Sequence, residues 1–304
     1  MYRTRWFYVL LILSAGMVMS PWIGVEQAAA GERQSVSVHA GPLLGMQSYS
    51  FKQFTFFDGL EKTAALGLKY TEGSGGRVVS DARPNFKFSD MLEITEEAMD
   101  VRREVKKKLQ DLGIQMLSYG VVALPNNESQ CRQVFDFAKD MGIQIIVSEP
   151  PEEALDLIDR LCKEYRIKVA IHNHAAPSPY WHPDILLRAC KGRSEMIGAC
   201  ADTGHWMRSG LNPVKMLEKL QGRIVCVHLK DRSDYGQLDT HDVPWGTGKG
   251  RIREMLSELD RQNFRGPVSI EYEYNWDNSV PDVRQCIDYF GKISGELISQ
   301  RLNP

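Results

Sequence analysis

V-A-I-H-N-H at 169–174, A-C-A-D-T-G-H at 199–205 and V-C-V-H-L-K-D at 225–231 share one pattern: an apolar run whose last residues turn to histidine or aspartate. V-S-I-E-Y-E-Y at 268–274 repeats it with carboxylates. Each run has the length and composition of a buried β-strand that changes chemistry at its C-terminal end. When parallel strands all do this, their ends converge on one place. That place is where α/β proteins, barrels above all, keep their active sites. His, Asp, His and Glu together are suitable donors for one hard-to-borderline divalent cation.

Working outward, strand and helix patterns alternate along the chain. Strands are expected near 43–51, 68–73, 114–120, 143–149, 167–173, 194–202, 222–230 and 266–273. Helices are expected near 58–66, 95–112, 128–141, 152–165, 183–190, 213–220, 252–263 and 280–302. Gly67, Gly113 and Gly142 stand where helix ends need a left-handed residue before the next strand. Eight such units make a (β/α)8 TIM barrel, an α/β fold. An open doubly wound sheet is the rival, but no G-x-G-x-x-G follows the first strand.

The chain opens M-Y-R-T-R-W, continues F-Y-V-L-L-I-L-S-A-G-M-V-M and reaches Ala28-Ala29-Ala30. A basic start, a short apolar run and an A-x-A site read as a secretory signal peptide. The run is shorter than the roughly 18–20 residues of a membrane span. The expected organisation is residues 1–30 signal peptide, 31–42 exposed segment and 43–304 barrel. The expected location is periplasmic or secreted, with membrane contact only through that leader. The net charge of −2 has no basic block behind it, so no nucleic-acid surface is expected. The six cysteines form no C-x-x-C; Cys200 and Cys226 should be buried inward-facing thiols on neighbouring strands. A homo-oligomer is compatible with the sequence, which does not set the oligomeric state.

Asp202 can ligate a cation, while His205, three residues on, can face either metal or substrate. His228 closes an otherwise apolar strand, and Lys230 shares its inward face. Beside a cation the lysine's charged form would be disfavoured, which suits proton transfer. Glu271 needs a cation or a basic partner in such a place, whereas Glu273 is expected to reach water. Glu149 could be a ligand or a helix-start carboxylate favoured by the dipole. His172 and His174 alternate inward with Asn173 outward. Glu72 and Gln47 are candidates for substrate hydrogen bonds, and Trp206, Tyr180, Trp181 and Trp245 could stack on a sugar ring.

D-T-G-H at 202–205, H-L-K-D at 228–231, P-W-G-T-G at 244–248 and G-P-V-S-I-E at 266–271 resemble the xylose-isomerase-like TIM-barrel superfamily over about Gly45 to Tyr289. The resemblance implies one divalent ion (Mn, Zn, Co or Mg) held by a Glu, an Asp, a His and a Glu on the last four strands. Asp202, His228 and Glu271 match. The family's E-N-H is here H-N-H, so His172 stands where a glutamate is expected. The expected ligand set is therefore Glu149, Asp202, His228 and Glu271. His172, His174 and Lys230 become the catalytic candidates, and Glu72, His205 and Trp206 the substrate contacts.

The implied activity is that of a sugar isomerase or epimerase, with proton abstraction beside a carbonyl and stabilisation of the enediolate. The H-N-H and D-T-G-H-W variants also resemble proteins encoded with oxidoreductases of 3-keto sugars, which points equally to lyase or hydratase chemistry. The expected partner is a small sugar, keto-sugar or glycoside. An abasic-site nuclease would need further histidines on strands two and three, which L-K-Y-T-E-G and I-Q-M-L-S-Y-G do not supply. A non-catalytic sugar-binding barrel would not need to keep the metal donors.

Overall fold

In a computed structural model that describes residues 41–302, the parallel strands close into a barrel. Its strands are β1 (Leu43–Gln47), β2 (Tyr70–Gly73), β3 (Gln115–Tyr119), β4 (Ile145–Ser148), β5 (Lys168–His172), β6 (Ile197–Asp202), β7 (Ile224–Leu229) and β10 (Pro267–Ile270). The last of these pairs with β1, in register from Leu43 opposite Pro267 to Met46 opposite Ile270. Closure excludes the open doubly wound sheet. A small antiparallel pair, β8 (Asp231–Arg232) with β9 (Asp242–Val243), stands above the barrel. The expected leader at 1–30 lies outside the described residues.

Helices follow the strands: α1 (Phe56–Ala65), α2 (Glu96–Leu112), α3 (Glu128–Met141), α4 (Leu155–Tyr165), α5 (Pro183–Cys190), α6 (Thr203–Arg208), α7 (Pro213–Lys219), α8 (Ile252–Arg261) and α9 (Val280–Leu302). Local chemistry explains their ends. Thr55 and Asp58 form a reciprocal capping box at α1, and Thr95 caps α2. Gly113 and Gly142 take φ of +62° and +73° at the ends of α2 and α3, conformations that an L side chain resists. The described helices include none long and apolar enough to cross a membrane.

Alternation along the strands sorts the core into two layers. Ile146, Val169, Ile171, Ala199, Ala201, Val227 and Ile270 join the large apolar cluster. Small residues of the opposite face, Val147, Ala170, Cys200 and Cys226, make a separate cluster within β4–β7. Cys200 lies opposite Cys226 in the register, and both are fully buried free thiols. One pleat further along, the same face carries polar groups. The period of two therefore turns a ladder of small apolar residues into a ring of His, Asp and Glu at the barrel's mouth.

Candidate metal centre and active-site pocket

His172 is the last residue of β5, Asp202 the last of β6, His228 the penultimate of β7, and Glu271 follows β10. All four are buried. One donor atom from each lies within 4.8 Å of the other three, an arrangement that could hold a metal ion. The pairwise distances are close: His228 Nδ1 lies 3.1 Å from Glu271 Oε2 and 3.9 Å from Asp202 Oδ2, and His172 Nε2 lies 3.5 Å from Asp202 Oδ2. Asp202 Oδ2 and His228 Nδ1 are fully buried without a well-formed hydrogen bond. Two orphaned donors of opposite type aimed at one point fit a cation's first coordination sphere.

The histidines are held from behind. His228 Nε2 lies 3.0 Å from Glu72 Oε1, and Glu72 also accepts hydrogen bonds from Gln47 Nε2 at 3.0 Å and Ser118 Oγ at 2.7 Å. Glu72 is fully buried, so it orients His228 and presents no oxygen to a substrate. This corrects its expected role as a substrate contact. His172 Nδ1 lies 2.9 Å from Glu149 Oε1, which also pairs with His174 Nδ1. Glu149 thus groups with the two histidines of H-N-H, apart from the Asp202–His228–Glu271 cluster. The structure reverses the expected order: His172 reaches the cluster and Glu149 stands behind it. Carboxylates in this position fix a histidine's tautomer and ring angle. Asn173 reinforces the arrangement by exchanging two hydrogen bonds with the backbone of Asp202, at 2.9 and 3.0 Å.

Lys230 is 1 % exposed, with Nζ 3.0 Å from Asp202 Oδ2, 2.8 Å from Glu271 Oε2 and 3.0 Å from Glu273 Oε2. Burial opposes its charge, but Asp202, Glu271 and Glu273 outweigh it and hold the ammonium well above its ordinary pKa. Its charged form is favoured here, contrary to the expectation from sequence. The same balance holds Asp202 and Glu271 well below the usual carboxylate range: burial works against the charge, and Lys230 overcomes it. Gly204 of D-T-G-H makes room for this lysine. A Cβ there would come within 2.8 Å of Lys230 Cβ and Cδ.

D-T-G-H continues as helix α6, with Asp202 as its N-cap: Asp202 Oδ1 accepts the His205 amide at 2.9 Å. His205 lies on the first turn of that helix, with Nε2 3.9 Å from Asp202 Oδ2. Desolvation by burial brings its imidazole down to about 3 from 6.5. In the metal-free protein the folded state therefore binds fewer protons than the unfolded state between those values. Stability that is complete above pH 6.5 is lost as pH falls through that window. Urea unfolding at about pH 7 and about pH 5 should show a smaller loss for His205→Gln than for the wild type. Equal losses would count against a buried neutral His205.

Asp231 of H-L-K-D has a different task. Its carboxylate accepts the amides of Gly246 at 2.8 Å, Gly248 at 3.0 Å, Gly250 at 2.7 Å and Arg232 at 3.0 Å. The P-W-G-T-G-K-G loop is wound around one buried oxygen pair, and a Cβ on Gly248 would meet Asp231 Oδ1 at 2.5 Å. Asp231→Ala should lower unfolding free energy by about 3 kcal/mol or more, since several charge-assisted bonds vanish and leave buried donors behind. Chemical denaturation checks this; a change below about 1 kcal/mol would refute it.

Above the cluster lies a pocket of about 270 Å³, lined by His172, His174, His205, Lys230, Glu271 and Glu273 and, across from them, by Gln47, Tyr49 and Ser74. Glu273, expected to see only water, is a half-buried wall of this pocket. The expected sugar-stacking aromatics lie elsewhere. Trp206 is 1 % exposed within the apolar core, Tyr180 donates its hydroxyl to Pro150 O at 2.7 Å, and Trp245 is buried. Trp181 packs against His182. Tyr49, just past β1, is the aromatic that faces the pocket. Sequence reading missed it because S-Y-S-F looked like a continued strand, whereas Ser48–Phe51 turns as a 3-10 helix.

A closed (β/α)8 barrel that gathers nitrogen and oxygen donors at the C-terminal mouth of its strands defines a class able to hold one metal ion. Within it, the chain belongs to the xylose isomerase-like TIM barrel family, whose model matches residues 60–292. A solved protein from Parabacteroides distasonis is 32 % identical, with a TM-score of 0.66 over 83 % of this chain and 98 % of that one. A Mycobacterium smegmatis barrel in complex with magnesium is 14 % identical, with a TM-score of 0.65 over 85 % and 98 %. An inosose dehydratase from Clostridium beijerinckii is 26 % identical over 136 residues, 40 % of this chain and 45 % of that protein. The chain spans less than half the length of the curated relatives it matches.

Proposed function

We propose that this protein is a metal-dependent enzyme that removes a proton beside the carbonyl of an unphosphorylated sugar or keto-sugar, as a sugar isomerase or epimerase does. The observation that carries this reading is the buried His172–Asp202–His228–Glu271 cluster opening directly into a pocket lined with proton-exchanging groups. These four residues would hold the ion. When bound, a divalent ion supplies polarisation of a carbonyl oxygen and a neighbouring hydroxyl. Magnesium in the M. smegmatis relative supports a hard cation, and the two histidines suit a borderline one such as zinc equally.

The chain's own residues divide the proton work between two walls. His174 is half exposed, and Glu149 fixes its Nδ1 side, leaving Nε2 toward solvent to take a proton. Opposite, Lys230 and Glu273 offer a charged donor and an acceptor 3.0 Å apart. Neutral substrates are favoured because Lys230, the pocket's lysine, is already bound by three carboxylates. A phosphate would find no uncommitted lysine or arginine among the lining residues. Similarity to an inosose dehydratase supports a second outcome of the same first step, in which a charged Lys230 protonates a leaving hydroxyl.

Incubation of metal-loaded protein with free ketoses and 3-keto-glucosides in heavy water, followed by NMR, tests this. Deuterium at the carbon beside the carbonyl is the expected result, and the product separates epimer from elimination. Absence of exchange on every substrate, with metal bound, would sink the proposal. Export is proposed from residues 1–30 alone. A mature chain beginning near Gly31 in the periplasmic or secreted fraction would support it, and an intact Met1 in the cytoplasm would overturn it.

A further inference from the structure

The inner pocket does not end at Tyr49. A second cleft, of about 630 Å³, shares Tyr49 and Gly75 with it and continues outward over Lys52, Gln53, Phe54 and Asp81. The two spaces therefore meet at one aromatic ring and one glycine. Tyr49 is braced from the far side of the mouth: its ring meets Trp276 edge-on, with centroids 5.7 Å apart and planes at 80°. Lys52 Nζ sits 3.5 Å from the Trp276 ring centroid and 5.0 Å from that of Tyr49. Lys52 has no carboxylate partner among the described residues, so its ammonium donors remain available to a hydroxyl. Gln53 and Asp81, both exposed, add a neutral and an anionic hydrogen-bonding group.

Aromatic faces interleaved with uncommitted donors and acceptors suit a ring that is apolar on its faces and hydroxylated at its rim. The inner pocket is of single-ring size, and a larger open space leads off it with this lining. We infer that the substrate is a glycoside of at least two rings: the reacting sugar lies over the His172–Asp202–His228–Glu271 cluster, and a second sugar ring lies beyond Tyr49 in the outer cleft. This deepens, and rests on, the reading of the inner pocket as a sugar site.

Calorimetric titration of metal-loaded full-length protein with glucose, and with maltose, cellobiose and sucrose as two-ring probes, tests it. At least one disaccharide should bind about tenfold or more tightly than glucose. Lys52→Ala and Trp276→Ala, which leave the inner wall intact, should remove most of that gain while changing glucose affinity less than about twofold. If glucose binds and no disaccharide binds more tightly, the outer subsite is wrong and the inner reading stands. A gain that survives both substitutions also overturns the subsite. If neither glucose nor any disaccharide binds, the sugar reading falls, and the outer subsite with it.

Discussion

His172→Gln should weaken binding of a divalent ion at least about 100-fold, whereas Glu149→Gln and Glu72→Gln should each weaken it by about 10- to 100-fold. The ordering follows from geometry. His172 Nε2 faces Asp202 across the cluster, and its Nδ1 is engaged by Glu149. Removing the imidazole deletes a ligand, while removing a carboxylate behind it only loosens the ligand's orientation and basicity, which has the smaller cost given above. Glu72→Gln should act through His228 in the same way, because the amide can still accept at one atom but no longer as an anion. Titration calorimetry with manganese and with zinc on metal-stripped protein measures all three. If Glu149→Gln empties the site while His172→Gln keeps it, the ligand is Glu149 and the geometric assignment is reversed. Glu149→Gln should also slow any proton exchange beyond its effect on metal occupancy, since the same carboxylate pairs with His174.

Lys230→Met should destabilise the metal-free protein by about 3–5 kcal/mol, the usual result of removing one partner of a buried ion pair. The side chain is almost completely enclosed, and three carboxylates converge on its ammonium. Methionine keeps the stem's shape against Gly204 but leaves Asp202 and Glu271 facing each other without a positive charge. A divalent cation should then raise the melting temperature of the variant by more than it raises that of the wild type, because it restores the missing charge at the same carboxylates. Thermal unfolding with and without added manganese checks both parts. An unchanged metal-free stability would mean that the carboxylates are satisfied without the lysine.

The barrel could be read from the chain because its signals are local. Helix ends are marked by Gly113 and Gly142, helix starts by Thr55 and Thr95, and strand faces by a period of two that needs only neighbouring residues to appear. The same period brought Asp202, His228 and Glu271 to one mouth, since parallel strands that change chemistry at the same end have one place to meet. Roles within the mouth were decided across the barrel. Glu72 and His228 are 156 residues apart in sequence, and only closure of the sheet brings them to 3.0 Å. Whether His172 or Glu149 reaches the cluster depends on how adjacent strands end, because Glu149 lies one residue past β4 and His172 closes β5. Lys230 meets three carboxylates from two other segments of chain, so the sign of its pKa shift is a property of the assembled pocket. Trp206 and Tyr49 show the same division: both look like sugar-facing aromatics in sequence, and packing buries the first in the core and leaves the second at the pocket wall. Periodicity and capping act through neighbours along the chain and are written in the sequence; tautomer, charge state and access to a cavity depend on contacts between distant segments, and those exist only once the barrel has closed.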